Sequence, residues 1–148
     1  MNWDEPYGPL IETRVRVLTW NVWGEYGPYA ERSGRIEKLV GELSPDVVAL
    51  QEQAGQRLRM LTGRSAPAAP GLVFYDAWEV AGDGGPGHTW GNANPWARPG
   101  LYPDRRFDYV LSAWPKAGGA GHPVRCEVVG DGPDPASDHY AVLAELRY

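Results

Sequence analysis

Five side chains that handle protons or hard cations stand where strands should begin or end. They are Asn21 in Leu18-Thr19-Trp20-Asn21, Glu52 in Val47-Val48-Ala49-Leu50-Gln51-Glu52, Asp108 in Arg106-Phe107-Asp108-Tyr109-Val110-Leu111, and Asp138 and His139 in Ser137-Asp138-His139. Glu52 follows an apolar run, so a rigid backbone would hold its carboxylate, a good arrangement for an oxygen ligand to Mg²⁺ or Mn²⁺. The alternative is an ordinary exposed glutamate. In the triplet, Asp138 offers a carboxylate to a cation, and His139 an imidazole that donates to a phosphoryl oxygen or shuttles protons. The same three residues also read as a polar turn. Asp108 interrupts an apolar strand, and a buried carboxylate is costly unless paired; its partner is either His139 on a neighbouring strand or the adjacent Arg105 or Arg106.

The elements that must carry these groups are legible in the periodicity. Arg14 to Trp20 alternates and is rich in β-branched residues, a strand delivering Asn21 to its carboxyl end. After a turn over Gly24 to Pro28, Ile36, Leu39, Val40 and Leu43 recur at helical spacing, and Ser44-Pro45-Asp46 stops the helix. The uninterrupted apolar run from Asp46 to Gln51 predicts a strand buried on both faces and ending at Glu52. A short helix is expected over Ala54 to Leu61, closed by Gly63, followed by a Pro/Ala linker over Ala66 to Gly71. Asp76 should cap a brief helical turn. Gly82 to Arg106 is aperiodic and rich in Gly, Pro and Asn, the texture of a functional loop or a disordered one. Strands return at Phe107 to Ala113, Pro123 to Val129 and Tyr140 to Arg147, with Val142, Ala144 and Leu146 on one face. About five strands and two or three helices make an α+β pattern.

The chain has 148 residues, enough for one domain with a sizeable core, and residues 1–148 are read as a single domain. Its 43% hydrophobic and 22% charged content excludes wholesale disorder. A net charge of −5 argues against a surface that coats nucleic acid, although an acidic metal site still holds a phosphodiester through its cation. Cys126 is the only cysteine, which rules out an intrachain disulfide, and it reads as a small buried hydrophobe. No leader pattern and no membrane span is visible, so a cytoplasmic protein is expected.

Taken together, Thr19-Trp20-Asn21, Val48-Ala49-Leu50-Gln51-Glu52, Thr89-Trp90, Arg106-Phe107-Asp108-Tyr109-Val110-Leu111 and Ser137-Asp138-His139 resemble, in type and order, the motifs of the endonuclease/exonuclease/phosphatase superfamily. The resemblance implies a DNase I-like α/β/β/α two-sheet sandwich and divalent-metal-dependent hydrolysis of phosphodiesters or phosphomonoesters, nucleic acid among the candidate substrates. It implies Glu52 and Asp138 as metal ligands, and Asn21, Asp108 and His139 as catalytic residues, with Asp108 orienting His139 at the scissile phosphate. Trp90 and Arg106 would contact substrate.

The chain departs from that pattern in its centre. Only about 20 residues separate Glu52 from Gly71-Leu72-Val73-Phe74, and neither the family's central histidine nor its Gly-Asp-x-Asn segment is among them. Gly91-Asn92-Ala93-Asn94 follows Thr89-Trp90 and so belongs to a later loop. Unless Asp83, His88, Asn92 or Asp104 substitutes, hydrolysis is expected to be weak. The alternative is a silent, shortened remnant serving as an oligomeric or nucleic-acid-binding module. Trp96, Arg98, Tyr102, Arg105 and Arg106 interleave as base-stacking groups do, or pack as an ordinary loop. Missing inner strands would expose apolar faces and edges, and a homodimer, with strands exchanged or not, is the expected compensation.

Overall fold

The computed structural model describes residues 8–51, 74–100, 102–113 and 116–148. Glu52, the helix expected over Ala54 to Leu61 and the linker after it lie outside the described residues.

Strand β1 (Arg14–Asn21) leads into helix α1 (Tyr29–Leu43), then β2 (Val47–Gln51), β3 (Phe74–Asp76), α2 (Ala77–Ala81), β4 (Leu111–Ala113), β5 (Pro123–Val129) and β6 (Ala141–Arg147). A four-stranded sheet has the order β2-β1-β6-β5, and β3 and β4 form a second, antiparallel pair. Two sheets with few helices are the arrangement expected of a shortened DNase I-like sandwich. Among the described residues only β1 and β2 run parallel; β6 is antiparallel to both β1 and β5. The carboxyl ends of β1, β2 and β5 and the amino end of β6 therefore meet at one rim of the sheet.

Alternation along β1 and β6 sends side chains to two cores. Leu18 and Trp20 join Ala141 and Leu143 beneath Ile36, with Leu39, Val40 and Leu43 of α1 packed alongside. On the opposite face, Val142 and Ala144 meet Ala77 and Trp78 of α2, Val110 and Cys126, with Val17 and Leu146 at the margin. Each large side chain so buried contributes about 1.5–3 kcal/mol. The helix ends as the sequence requires: Ser44 adopts a left-handed conformation, φ 46°, its N–H bonds Val40 O, and Pro45 cannot continue the helix. Asp76 caps α2 through a 3.0 Å bond from Trp78 N. Gly87, at φ +61°, lets the loop after α2 close on the Trp78 indole, where a Cβ would come within 2.4 Å of the ring.

Two expectations are corrected. The run Asp46 to Gln51 is not buried on both faces: among the described residues β2 is an edge strand, with Val47 48% and Val48 41% exposed. Among the described residues only β1 pairs with it, which leaves its other edge without a ladder there. The strand expected over Phe107 to Ala113 is regular only from Leu111, because the N–H groups of Phe107 and Asp108 donate to the Thr89 hydroxyl instead of to a ladder. Among the described residues, no helix is long and apolar enough to cross a membrane.

Cys126 is buried in β5 as expected, and burial, with the Asp76 carboxylate next in weight, pushes its thiol up to about 11. A thiol that holds its proton more tightly folded than unfolded adds stability below the unfolded value of 9.0, and that stability is lost as pH rises from there toward 11. Thiol-reagent labelling at pH 8 should thus be slow in the native protein and fast in denaturant. Rapid native labelling would place Cys126 at the surface.

Candidate active site at the rim of the sheet

At the rim, β1 ends on Asn21, whose Oδ1 accepts a 2.9 Å bond from Trp23 N and turns the chain through a left-handed Trp23, φ 58°. The backbone O of Asn21 accepts from Ser137 Oγ at 2.7 Å, joining this turn to the segment that precedes β6. Trp20, fully buried, donates from Nε1 to His139 O at 3.0 Å, so the same strand holds the core and the backbone of the histidine.

The long Gly/Pro-rich loop is ordered by two buried polar residues. Asn94 donates from Nδ2 to Ser137 O at 2.9 Å and Asp138 O at 3.1 Å, and its Oδ1 accepts from Trp96 N at 3.0 Å. Thr89 Oγ1 donates to Asp108 Oδ2 at 2.6 Å and accepts from Phe107 N and Asp108 N, while Thr89 O accepts from Tyr140 N at 2.7 Å. Both side chains are wholly buried. Neither Thr89 nor Asn94 is legible as a site residue from periodicity or charge; Thr89 enters the sequence reading only through the Thr89-Trp90 motif of the resemblance, and Asn94 only as an amide in an otherwise unpatterned loop.

Asp108 Oδ2 lies 2.7 Å from His139 Nδ1, with the two side chains 10% and 16% exposed. Of the alternatives left open by the sequence, the carboxylate takes the histidine. Because a carboxylate accepts, Nδ1 carries the proton, and the basic lone pair of the neutral imidazole falls on Nε2. The Phe107 ring lies 5.9 Å from the imidazole.

Trp90 and Arg106, expected to contact substrate, are placed differently. The Trp90 side chain is buried between Tyr102 and Phe107, and its backbone bridges to Arg105. Arg106 Nη2 lies 2.8 Å from both Asp76 Oδ2 and Glu79 Oε1, which locks α2 to the Phe107 segment. Two further residues of the loop are similarly engaged: Trp96 donates to Pro135 O and packs on Trp23, and Arg105 lies over Phe107; Arg98 and Tyr102 are exposed. Asn92 bonds Asp104 through both backbone and side chain, and these bonds hold the Asp104 carboxyl below its usual value, with help from His88. Beside the rim, Asp83, His88, Glu127, Asp131 and Tyr140 line a cleft of about 530 Å³.

Among the described residues, no group of three or more His, Cys, Asp or Glu side chains converges on a point suited to a metal ion. Asn21 and Asp138 nevertheless present oxygen donors of the kind a hard cation prefers, joined through Ser137. Asn21 also pairs in register with Gln51, the residue before Glu52.

The profile of the Endonuclease/Exonuclease/phosphatase family matches residues 18–122. The chain therefore belongs to that family, whose members are metal-dependent phosphoesterases and nucleases. The matched region contains Asn21, Glu52, Thr89 and Asp108; Asp138 and His139 lie beyond it and join the site through the fold. No curated protein matches the chain.

Replacing Thr89 by the near-isosteric Val removes one donor and one acceptor and leaves Asp108 and two N–H groups short of partners. A loss of about 1–3 kcal/mol is expected from urea unfolding of Thr89→Val. An unchanged midpoint would mean that the hydroxyl holds nothing.

Proposed function

We propose that the chain hydrolyses phosphate esters with the help of Mg²⁺ or Mn²⁺, and that the carrying observation is the 2.7 Å Asp108–His139 pair at a rim shared with Asn21 and Asp138. His139 acts at the scissile phosphate through Nε2, as a donor to a phosphoryl oxygen or as a proton shuttle. Asp108 fixes its tautomer and, when the imidazole is protonated, offsets its charge; Thr89 holds Asp108 in place. Glu52 and Asp138 are the residues that would hold the cation, with Asn21 ordering the site. When bound, the cation would neutralise charge developing on the phosphoryl oxygens.

The rate is expected to be low. The family's Gly-Asp-x-Asn segment is absent, and a lost general base costs about 10² to 10⁴ in rate. Asn92 and Asp104, which the sequence offers as substitutes, are bonded to each other. The test is hydrolysis of bis(p-nitrophenyl) phosphate with Mg²⁺ or Mn²⁺ by the parent, Glu52→Gln and His139→Ala. His139→Ala should fall by about 10² or more, and Glu52→Gln should lose the metal dependence. Equal rates in all three would leave a catalytically silent module as the reading.

Exposed apolar residues on both sheets, Val47 and Val48 on one and Phe74 and Leu111 on the other, favour a homodimer as the working form. Light scattering should find a dimer at micromolar concentration; a monodisperse monomer would refute it.

A further inference from the structure

Arg32 of α1 is the one charged side chain among the described residues that is wholly buried. Its guanidinium donates to four backbone carbonyls: Nη1 to Val22 O and Ala136 O, both at 2.9 Å, and Nη2 to Gly24 O at 2.9 Å and Tyr26 O at 2.6 Å. It lies 4.9 Å from the Trp23 ring and 5.8 Å from the Tyr29 ring, and its Nε is buried without a hydrogen-bond partner. Burial lowers its proton affinity, an effect opposed by the charge of Asp138. A cation in such a place is expensive to bury, and a hydrophobic residue on α1 would be the cheaper way to fill a core.

What the four bonds hold explains its position. Val22 follows Asn21 directly, and Ala136 precedes Ser137-Asp138-His139 directly, so one planar fork fixes the spacing between the two segments that build the rim. The Ser137–Asn21 bond spans the same gap one residue further on.

We infer that Arg32 is a positioning residue for the phosphoesterase site, clamping the Asn21 turn to the Ser137–His139 segment without touching substrate. The inference rests on the phosphoesterase reading for its kinetic consequence and on geometry alone for its structural one. Lysine keeps the charge but is a point donor that cannot reach four carbonyls in a plane.

Arg32→Lys should therefore lower kcat about a hundredfold, as a misplacement near 1 Å does, while KM changes little. The downfield proton NMR signal of His139 Nδ1–H, identified by its absence in His139→Ala, should broaden or vanish although denaturant unfolding stays cooperative. A cooperatively folded Arg32→Lys with the parent's signal and kcat would overturn the proposal. So would a kcat loss that tracks only the unfolded fraction while the signal persists. If Arg32→Lys does not fold, the parent decides: Arg32 Nη protons that NMR resolves separately and that exchange slowly with solvent support the clamp, and averaged, rapidly exchanging ones overturn it. An inactive parent would count against the phosphoesterase reading alone, and the NMR comparison would still decide the clamp.

Discussion

The pairing of β1 with β6 is the constraint on which the rest of the molecule depends. It joins residues near the two ends of the chain, Thr19 to Val142 and Arg14 to Arg147, and places both strands at the centre of the sheet. Both cores are built on their alternating faces. Because β1 ends where β6 begins, the pairing also brings Asn21 and His139 to one rim. The entropic cost of closing so long a loop grows only slowly with its length, and central strands buried on both faces repay it with apolar contact.

The rim itself is held by buried polar groups rather than by regular structure. Thr89, Asn94, Ser137 and Arg32 are all wholly buried, and each bonds backbone or a site side chain across a gap that no ladder spans. Such groups stabilise only when satisfied, and each then enforces one arrangement because the alternatives leave a buried donor or acceptor unpaired. Arg32 is the extreme case, satisfied at four N–H groups and unsatisfied at Nε.

Four elements were legible because alternation and helical spacing are written in local residue types: β1, α1, β5 and β6 lie within a residue or so of where those patterns place them, except that α1 begins earlier, at Tyr29, whereas the three-residue β3 is too short to leave such a pattern. The Asp108–His139 pair was legible as one of two alternatives, since a carboxylate inside an apolar run must find a cation or a donor. The edge position of β2 was not, because an apolar run records that a strand is apolar and not how many neighbours it has. Nor was the irregular course of Phe107 to Val110, which depends on a hydroxyl 18 residues away in sequence. The structural duties of Trp90 and Arg106 escaped for the same reason: a Trp or Arg in a loop has the same signature whether it meets a ligand or its own neighbours.

These observations also bear on how the long loop contributes to function. Its aromatic rings pack on one another and on Trp23, while its buried Thr89 and Asn94 hold the residues on either side of the Asp108–His139 contact. The loop thus acts as a backbone scaffold for the rim, with its Gly and Pro residues permitting the turns that bring a hydroxyl and an amide inward. Trp20 adds the complementary tie from below, through His139 O. The histidine is consequently fixed at its ring by the loop and at its backbone by the core. Substitutions in the Trp20 core should disturb stability and geometry together, whereas those at Thr89 and Asn94 reach the geometry from the loop side, so the two routes to His139 are separable by experiment.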